Sequence, residues 1–242
     1  TDAPNGDFSL KTDGPAQNKG DNTLYTTAGG NLTTDKDLAG NNRLFGAAID
    51  LGPYENQTVP ITPAPNGVLY VKKGSTGNGS TWANATAELA DALVAAKTNT
   101  AIKEIWVAAG TYKPLYSPAD NNFGNPDGRN NTFLLVKDVK VYGGFAGTET
   151  TLAQRDLSIS ANKSALSGDI DQNDTQTNGI STTINGANAY HVVLVVGDAS
   201  YTGMLLDGFT ITGGQGTALG NSMVNGRTVL TSNGGGISIN GI

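Results

Sequence analysis

The sequence has no cysteine and a single histidine, His191. The first absence excludes disulfide staples and thiolate-ligated zinc or iron–sulfur centres. The second leaves little from which to build a histidine metal site or a catalytic triad. Charged residues make up only 15% of the 242 positions, the net charge is -6, and no Lys/Arg cluster stands out. That speaks against a nucleic-acid partner and against electrostatic attachment to anionic lipid. No apolar run approaches membrane-spanning length. What is abundant is glycine, at 33 residues, with Asn, Thr, Ser and Asp around it. Amphipathic helical domains carry more Leu, Glu and Lys, whereas many short β-strands joined by Gly/Asn/Asp turns match this composition.

Along the chain the character changes once. Residues 1–55 hold turn signals ("PNGD", "DGPAQNKGDN", "AGGN") around short apolar pieces, notably "FSL" and "LFGAAIDL". Residues 56–67 contain the proline-rich "NQTVPITPAPNG", which denies backbone donors and holds the chain extended, as a linker or domain edge does. From Val68, "VLYVKKG" alternates like a strand. "NATAELADALVAAKTN" is the one convincing helix, with Asn84 as its cap, Glu88 and Lys97 suited to the dipole, and Ala85, Leu89, Leu93 and Ala96 as an apolar stripe. Short strands follow: "EIWVAAGTY", "TFLLVKDVKVYGGF", "SALSGDI", "HVVLVVG", "MLLDGFTITGG" and "GGGISING". Their spacing fits solenoid coils with irregular insertions; a β-sandwich has a similar inventory of strands.

Several of these stretches, in order, resemble one family. "VLYVKKGSTGNGSTWANA", "EIWVAAGTYKP", "NNTFLLVKDVKVYGGFAGTETTLAQRDL", "SALSGDID", "YHVVLVV" and "LLDGFTITGG" are similar to the N-terminal portion of right-handed parallel β-helix repeat proteins, large surface or secreted adhesin-like proteins of Bacteroidetes-like bacteria. The likeness spans most of residues 68–242. It implies an all-β fold, a right-handed parallel β-helix (solenoid) with one N-terminal capping α-helix, incomplete at its C-terminal end. "DFSLKTDGPAQNKGDN" followed by "DLAGNNRLFGAAIDLGPYE" resembles the segment that closes such a β-helix, with Asn42 where the pattern often has Pro and Pro53 where it has a small residue. Residues 1–55 are therefore expected to close a previous module or a neighbouring subunit. The chain opens without a signal-peptide pattern, so a removed leader or an excised piece is expected. The resemblance implies export to the cell surface or medium, in an extracellular filament, with other modules, copies of itself or surface glycans as partners.

Candidate sites are few. "GDIDQND" places Asp169, Asp171 and Asp174 in one loop, a pattern able to offer oxygen ligands to Ca2+ or to satisfy local N–H groups in a polar turn. It lacks the Glu of an EF-hand. Asp156, Asp207, Arg155 and Lys163 are the residues from which polysaccharide lyase or hydrolase machinery would have to come, but nothing in their spacing forms a catalytic set. No catalytic residue and no obligatory cofactor is expected. Trp82, Trp106, Tyr112 and Tyr116 are either a sugar-stacking platform or buried packing between cap and first strands. His191 precedes an apolar strand with no partner in sequence and is expected to pack and make one hydrogen bond. The function expected is structural or adhesive; the alternatives are a polysaccharide-degrading enzyme and a non-catalytic carbohydrate-binding module.

Overall fold

A computed structural model of the chain describes residue 10, residues 15–198 and residues 200–241. Most of "DFSLKTDG", at the head of the closing-segment resemblance, lies outside the described residues. The chain divides into two compact units, Thr1–Pro60 and Ile61–Ile242. The described residues are all-β apart from two α-helices and short 3-10 turns. Among them no helix is long and apolar enough to cross a membrane.

The first unit holds one short helix, α1 (Asn22–Thr27), whose N-cap Asp21 accepts from the N–H groups of Thr23 and Leu24 and which buries no residue. Among the unit's described residues Ile49 is the only buried hydrophobic side chain. Buried carboxylates take the place of an apolar core. Glu55 pairs with Arg43 at 2.9 Å and accepts N–H bonds from Phe45 and Asp50. Asp37 accepts from the N–H groups of Asn41 and Glu55, and Asp50 from those of Asn18 and Asn56. The stretch Asp37–Glu55 is thus a set of loops tied to three carboxylates.

The second unit begins with β1 (Val68–Val71), followed by α2 (Leu89–Thr98). The spacing of apolar residues places this helix correctly, but its start lies later than the Asn84 cap read from sequence. Glu88 occupies the N-cap without a side-chain capping bond, its carboxylate pairing with Lys73 instead, and Asp91 is the acidic residue of the first turn. Thr86 serves the open edge of β1: its N–H donates to Tyr70 O (3.0 Å) and its carbonyl accepts from Lys72 N (2.9 Å). Asn84 turns its amide to Asn78 and Ser80. Pairing with an otherwise bare strand edge satisfies backbone groups that a longer helix would have used internally.

Three passes follow. The first runs β2 (Glu104–Ala108), β3 (Gly110–Tyr112) and β4 (Phe133–Leu134). The second runs β5 (Lys140–Phe145), β6 (Ser164–Ser167), the β7–β8 hairpin (Thr175–Thr177, Ile180–Thr183) and β9 (Val193–Val196). The third runs β10 (Leu205–Asp207), β11 (Phe209–Thr212), the β12–β13 hairpin (Asn221–Val224, Arg227–Leu230) and β14 (Ile237–Asn240). Each pass visits three sheets in the same order: β1-β2-β5-β10, then β3-β6-β11, then β4-β9-β14. All pairings within these three sheets are parallel, and like residues fall in register: Leu69, Ile105, Val141 and Leu206 form one row.

Those rows face a common interior. Leu69, Val71, Ile105, Val107, Val141, Leu166, Val193 and Val195 belong to one buried cluster, and α2 contributes Leu89, Ala92, Leu93 and Ala96 to it. A ten-residue helix is marginal alone, so this packing must supply most of its stability. The strand "VLVV" is apolar on both faces because its outer face is also covered: Leu194 and Val196 form a second cluster with Leu134 and with Val224 and Val229 of the β12–β13 hairpin. Both hairpins turn on Asn-Gly with positive φ at each residue, Asn178-Gly179 and Asn225-Gly226, the type I′ geometry that matches strand twist. At the corner after β10, Gly208 has φ 80°, and a Cβ there would lie 2.5 Å from the carbonyl of Gly143 in the preceding pass. Only glycine allows that approach.

Candidate functional site

Alternation along the first sheet puts Tyr70, Trp106, Tyr142 and Asp207 in one outward row. The rings do not stand free. Trp106 stacks on Phe145 (centroids 4.8 Å apart, planes 12°), and Tyr70 meets Trp82 edge-on at 4.8 Å. The connection after β5 roofs them. Trp82 Nε1 donates to the carbonyl of Glu149 at 2.8 Å. The Glu149 carboxylate accepts the N–H groups of Ala146, Gly147 and Thr148. Burial acts against its charge, but those N–H bonds outweigh it and hold the carboxyl below its usual range. Thr151 and Gln154 form a capping box on the 3-10 turn Leu152–Gln154. Arg155 then reaches back over the rings of Tyr142 (5.3 Å) and Phe145 (5.8 Å). It donates to the carbonyls of Gly143 and Asp207 and pairs with the Asp207 carboxylate.

Of the four aromatics singled out in the sequence, Trp82 and Trp106 belong to this roofed cluster rather than to the helix. Tyr112 is fully buried in the interior, where burial pushes its hydroxyl well above the ordinary phenol range, and donates to Ala108 O. Tyr116 bonds Asp91 of α2 at 2.7 Å.

The carboxylates considered for sugar chemistry disperse. Only Arg155 and Asp207 come together. Asp156 accepts from the N–H and hydroxyl of Ser158 in its own turn, and Lys163 donates to the carbonyl of Asn178. One open groove, about 710 Å³, is lined by Ser117, Asp120, Asn121, Asp127, Asn221 and Met223 among others, with no Lys or Arg. A second, of about 380 Å³ beside Leu157, Lys163 and Phe209, carries no carboxylate. The first groove thus holds two carboxylates, Asp120 and Asp127, without a cation, and the second a cation without a carboxylate.

In the Asp-rich loop, Asp169 accepts from Asn173 N and Gln176 Nε2. Asp171 accepts from Asn173 Nδ2 and Ala187 N, and Asp174 from Asn185 N and Asn188 Nδ2. Burial opposes the Asp174 charge, but these donors prevail and its carboxyl is held below the usual range. Among the described residues no three His, Cys, Asp or Glu side chains converge on one point. His191 is buried, with Nδ1 3.2 Å from Gly234 O and no partner for Nε2.

The third pass is distinct. β10, β11 and β14 each lie at the end of their sheet. Leu206, Phe209 and Ile211 are only half-buried against the interior cluster. Ile237 and Ile239 take the inward register positions of Val193 and Val195, yet are 46% and 67% exposed where those valines are 0% and 6%. The inward face here has apolar residues and unpaired strand edges together. The opposite end is covered by α2 and by the Thr86 segment.

Sequence reasoning did not find the hydrogen bond that Lys97 Nζ donates to Asn225 Oδ1, nor either hairpin. The hairpins had a signal, Asn-Gly between β-forming residues; the hydrogen bond, between residues far apart in the chain, had none. No protein-family model matches the chain, and neither curated proteins nor solved structures yield a match.

Proposed function

We propose that residues 68–242 wind as a right-handed parallel β-helix capped at its start by α2. In this reading the chain is a structural and adhesive element of an exported bacterial surface or extracellular filamentous protein. The observation that carries it is the threefold return through three parallel sheets in one order and in register. Rungs stacked this way advance by about 4.8 Å each, and the hydrogen bonds between them repeat along the length. The product is reach and stiffness without disulfides.

The third pass is the point of contact with another module or another copy, because its inward Ile237 and Ile239 are exposed beside strand edges. Residues 1–55 act as a closing segment for a preceding module or for a neighbouring copy. Support comes from their single buried hydrophobic side chain among described residues: a small unit with so little apolar burial gains stability by covering another surface. Glycans on a host or matrix surface fit an adhesive role and need no catalytic centre.

Sedimentation velocity over rising concentration tests the contact. Wild-type protein is expected to form concentration-dependent, chain-like species, and Ile239→Asp to stay monomeric. A wild-type monomer at every concentration, with native circular dichroism, contradicts assembly through this face.

A further inference from the structure

Lys97, in the last turn of α2, and Asn225, at the tip of the β12–β13 hairpin, meet although 128 residues separate them: Lys97 Nζ donates to Asn225 Oδ1 at 2.8 Å. The orientation of the amide is fixed from both sides. Its Nδ2 donates to the carbonyl of Val196 at 2.7 Å, and a lysine nitrogen facing Oδ1 is there as a donor, so a flipped amide would mismatch both contacts. Lys97 Nζ also lies 4.5 Å from the ring centroid of Phe123. That ring packs on the outer apolar cluster of Leu134, Leu194, Val196, Val224 and Val229. The third member is Asp120, whose carboxylate accepts the N–H groups of Asn225 (2.7 Å) and Gly226 (2.8 Å).

An amine and a carboxamide therefore meet at the rim of an apolar cluster, with a carboxylate holding the backbone beside the carboxamide, the three coming from different parts of the fold. We propose that Lys97 and Asn225 join in an intramolecular isopeptide bond, with Asp120 positioning Asn225 through its hold on the Asn225 and Gly226 N–H groups. The Nζ lone pair attacks Cγ of Asn225. In the same exchange one proton passes from Nζ to Nδ2. The Cγ–Nδ2 bond breaks, ammonia leaves, and an Nζ–Cγ amide remains. No oxidant, reductant, metal or second substrate enters. Holding the two groups in contact supplies most of what the bimolecular reaction lacks. Burial, partly offset by the charge of Asp120, lowers the Lys97 pKa and so enlarges the neutral, nucleophilic fraction.

Two comparisons sharpen the inference. Lys36 Nζ lies 2.6 Å from Asn42 Oδ1 in an exposed setting; without apolar cover that pair is expected to stay unlinked. Asn225 precedes Gly226, and closure of the Gly226 nitrogen onto Cγ would also expel ammonia, but that N–H is held by Asp120. The bond would tie the cap helix to the hairpin of the third pass, locking one end of the stack to the other.

Intact-mass measurement of the full chain, followed by peptide mapping, tests this. The expected result is a mass short of the sequence mass by one ammonia, with a branched peptide joining Lys97 to Asn225. Lys97→Arg is expected to restore the full mass, and Asp120→Asn, which leaves one of the two N–H groups without its acceptor, to raise the unlinked fraction after the same interval. A wild-type chain of full mass with separate Lys97 and Asn225 peptides overturns the proposal. So does an ammonia loss that persists in Lys97→Arg, which would report ring closure at an Asn-Gly step.

Discussion

Arg155, in the connection that follows β5, forms an ion pair with Asp207, the last residue of β10 in the next pass, while its guanidinium covers Tyr142 and Phe145. One side chain thus fastens two passes together and closes the roof over the aromatic cluster. Its own exposure is 11%, against 43% for Asp207, so most of its contribution comes from the carbonyl bonds and the ring contacts rather than from the screened charge pair.

Arg155→Ala is therefore expected to lower stability by about 2 kcal/mol, and Asp207→Asn by under about 1 kcal/mol. Urea unfolding midpoints of the two variants check the ordering. Equal losses would mean that the ion pair dominates.

Trp106→Ala is expected to cost about 3–5 kcal/mol, as for a large buried ring removed from a stack, and Trp106→Phe considerably less. The measurement is the same denaturation curve, with soluble glucans and uronans added in parallel. Ligand-dependent stabilisation lost in Trp106→Ala would indicate a sugar platform instead of packing.

Glu149 sets an acid limit. Its carboxyl is held below the usual range in the fold, so its contribution is present in full above the unfolded pKa of about 4.3. It is lost as pH falls through the folded value, because the unfolded state then binds the proton more readily. Glu149→Gln is expected to be less stable at pH 7 and to show a shallower loss of stability between about pH 5 and pH 3. Melting temperatures across that range provide the check; an unchanged slope would place the acid sensitivity elsewhere.

In the first unit the buried side chain of Glu55 depends on Arg43. Arg43→Ala leaves that carboxylate without its partner, which is expected to cost about 3–5 kcal/mol locally. Amide exchange at Phe45 and Asp50, whose N–H groups bond Glu55, should accelerate strongly. Retained protection at both amides would show that the loops stand without the ion pair.

The sequence displayed the alternating strands, the helix and the apolar run "HVVLVV", because burial periodicity is local. It could not display why that run is apolar on both faces, since its cover is a hairpin some thirty positions later. The helix start was misread because Asn84 is a good cap in isolation, while the bare edge of β1 claims Thr86 first. "AGTETTLAQRD" was visible as a motif, but its separate tasks were not: a carboxylate nest at Glu149, a capping box, and a clamp at Arg155. The Asp169–Asp174 loop was legible as a polar turn or an ion site, and only coordinates reveal how many of its oxygens already accept N–H donors.

The most direct test of stacked rungs uses the absence of cysteine. Lys140 and Leu205 are register partners on β5 and β10, and both are exposed. Neighbouring strands lie about 4.8 Å apart, within disulfide reach of roughly 4.4–6.8 Å between Cα atoms. Glu104 and Leu205 are separated by two strand spacings, beyond that reach. Lys140→Cys with Leu205→Cys is expected to oxidise to an intramolecular disulfide in the native protein, and Glu104→Cys with Leu205→Cys to remain as free thiols. Equal oxidation of both pairs, or of neither, would contradict the stacking order β2-β5-β10 on which the proposed function rests.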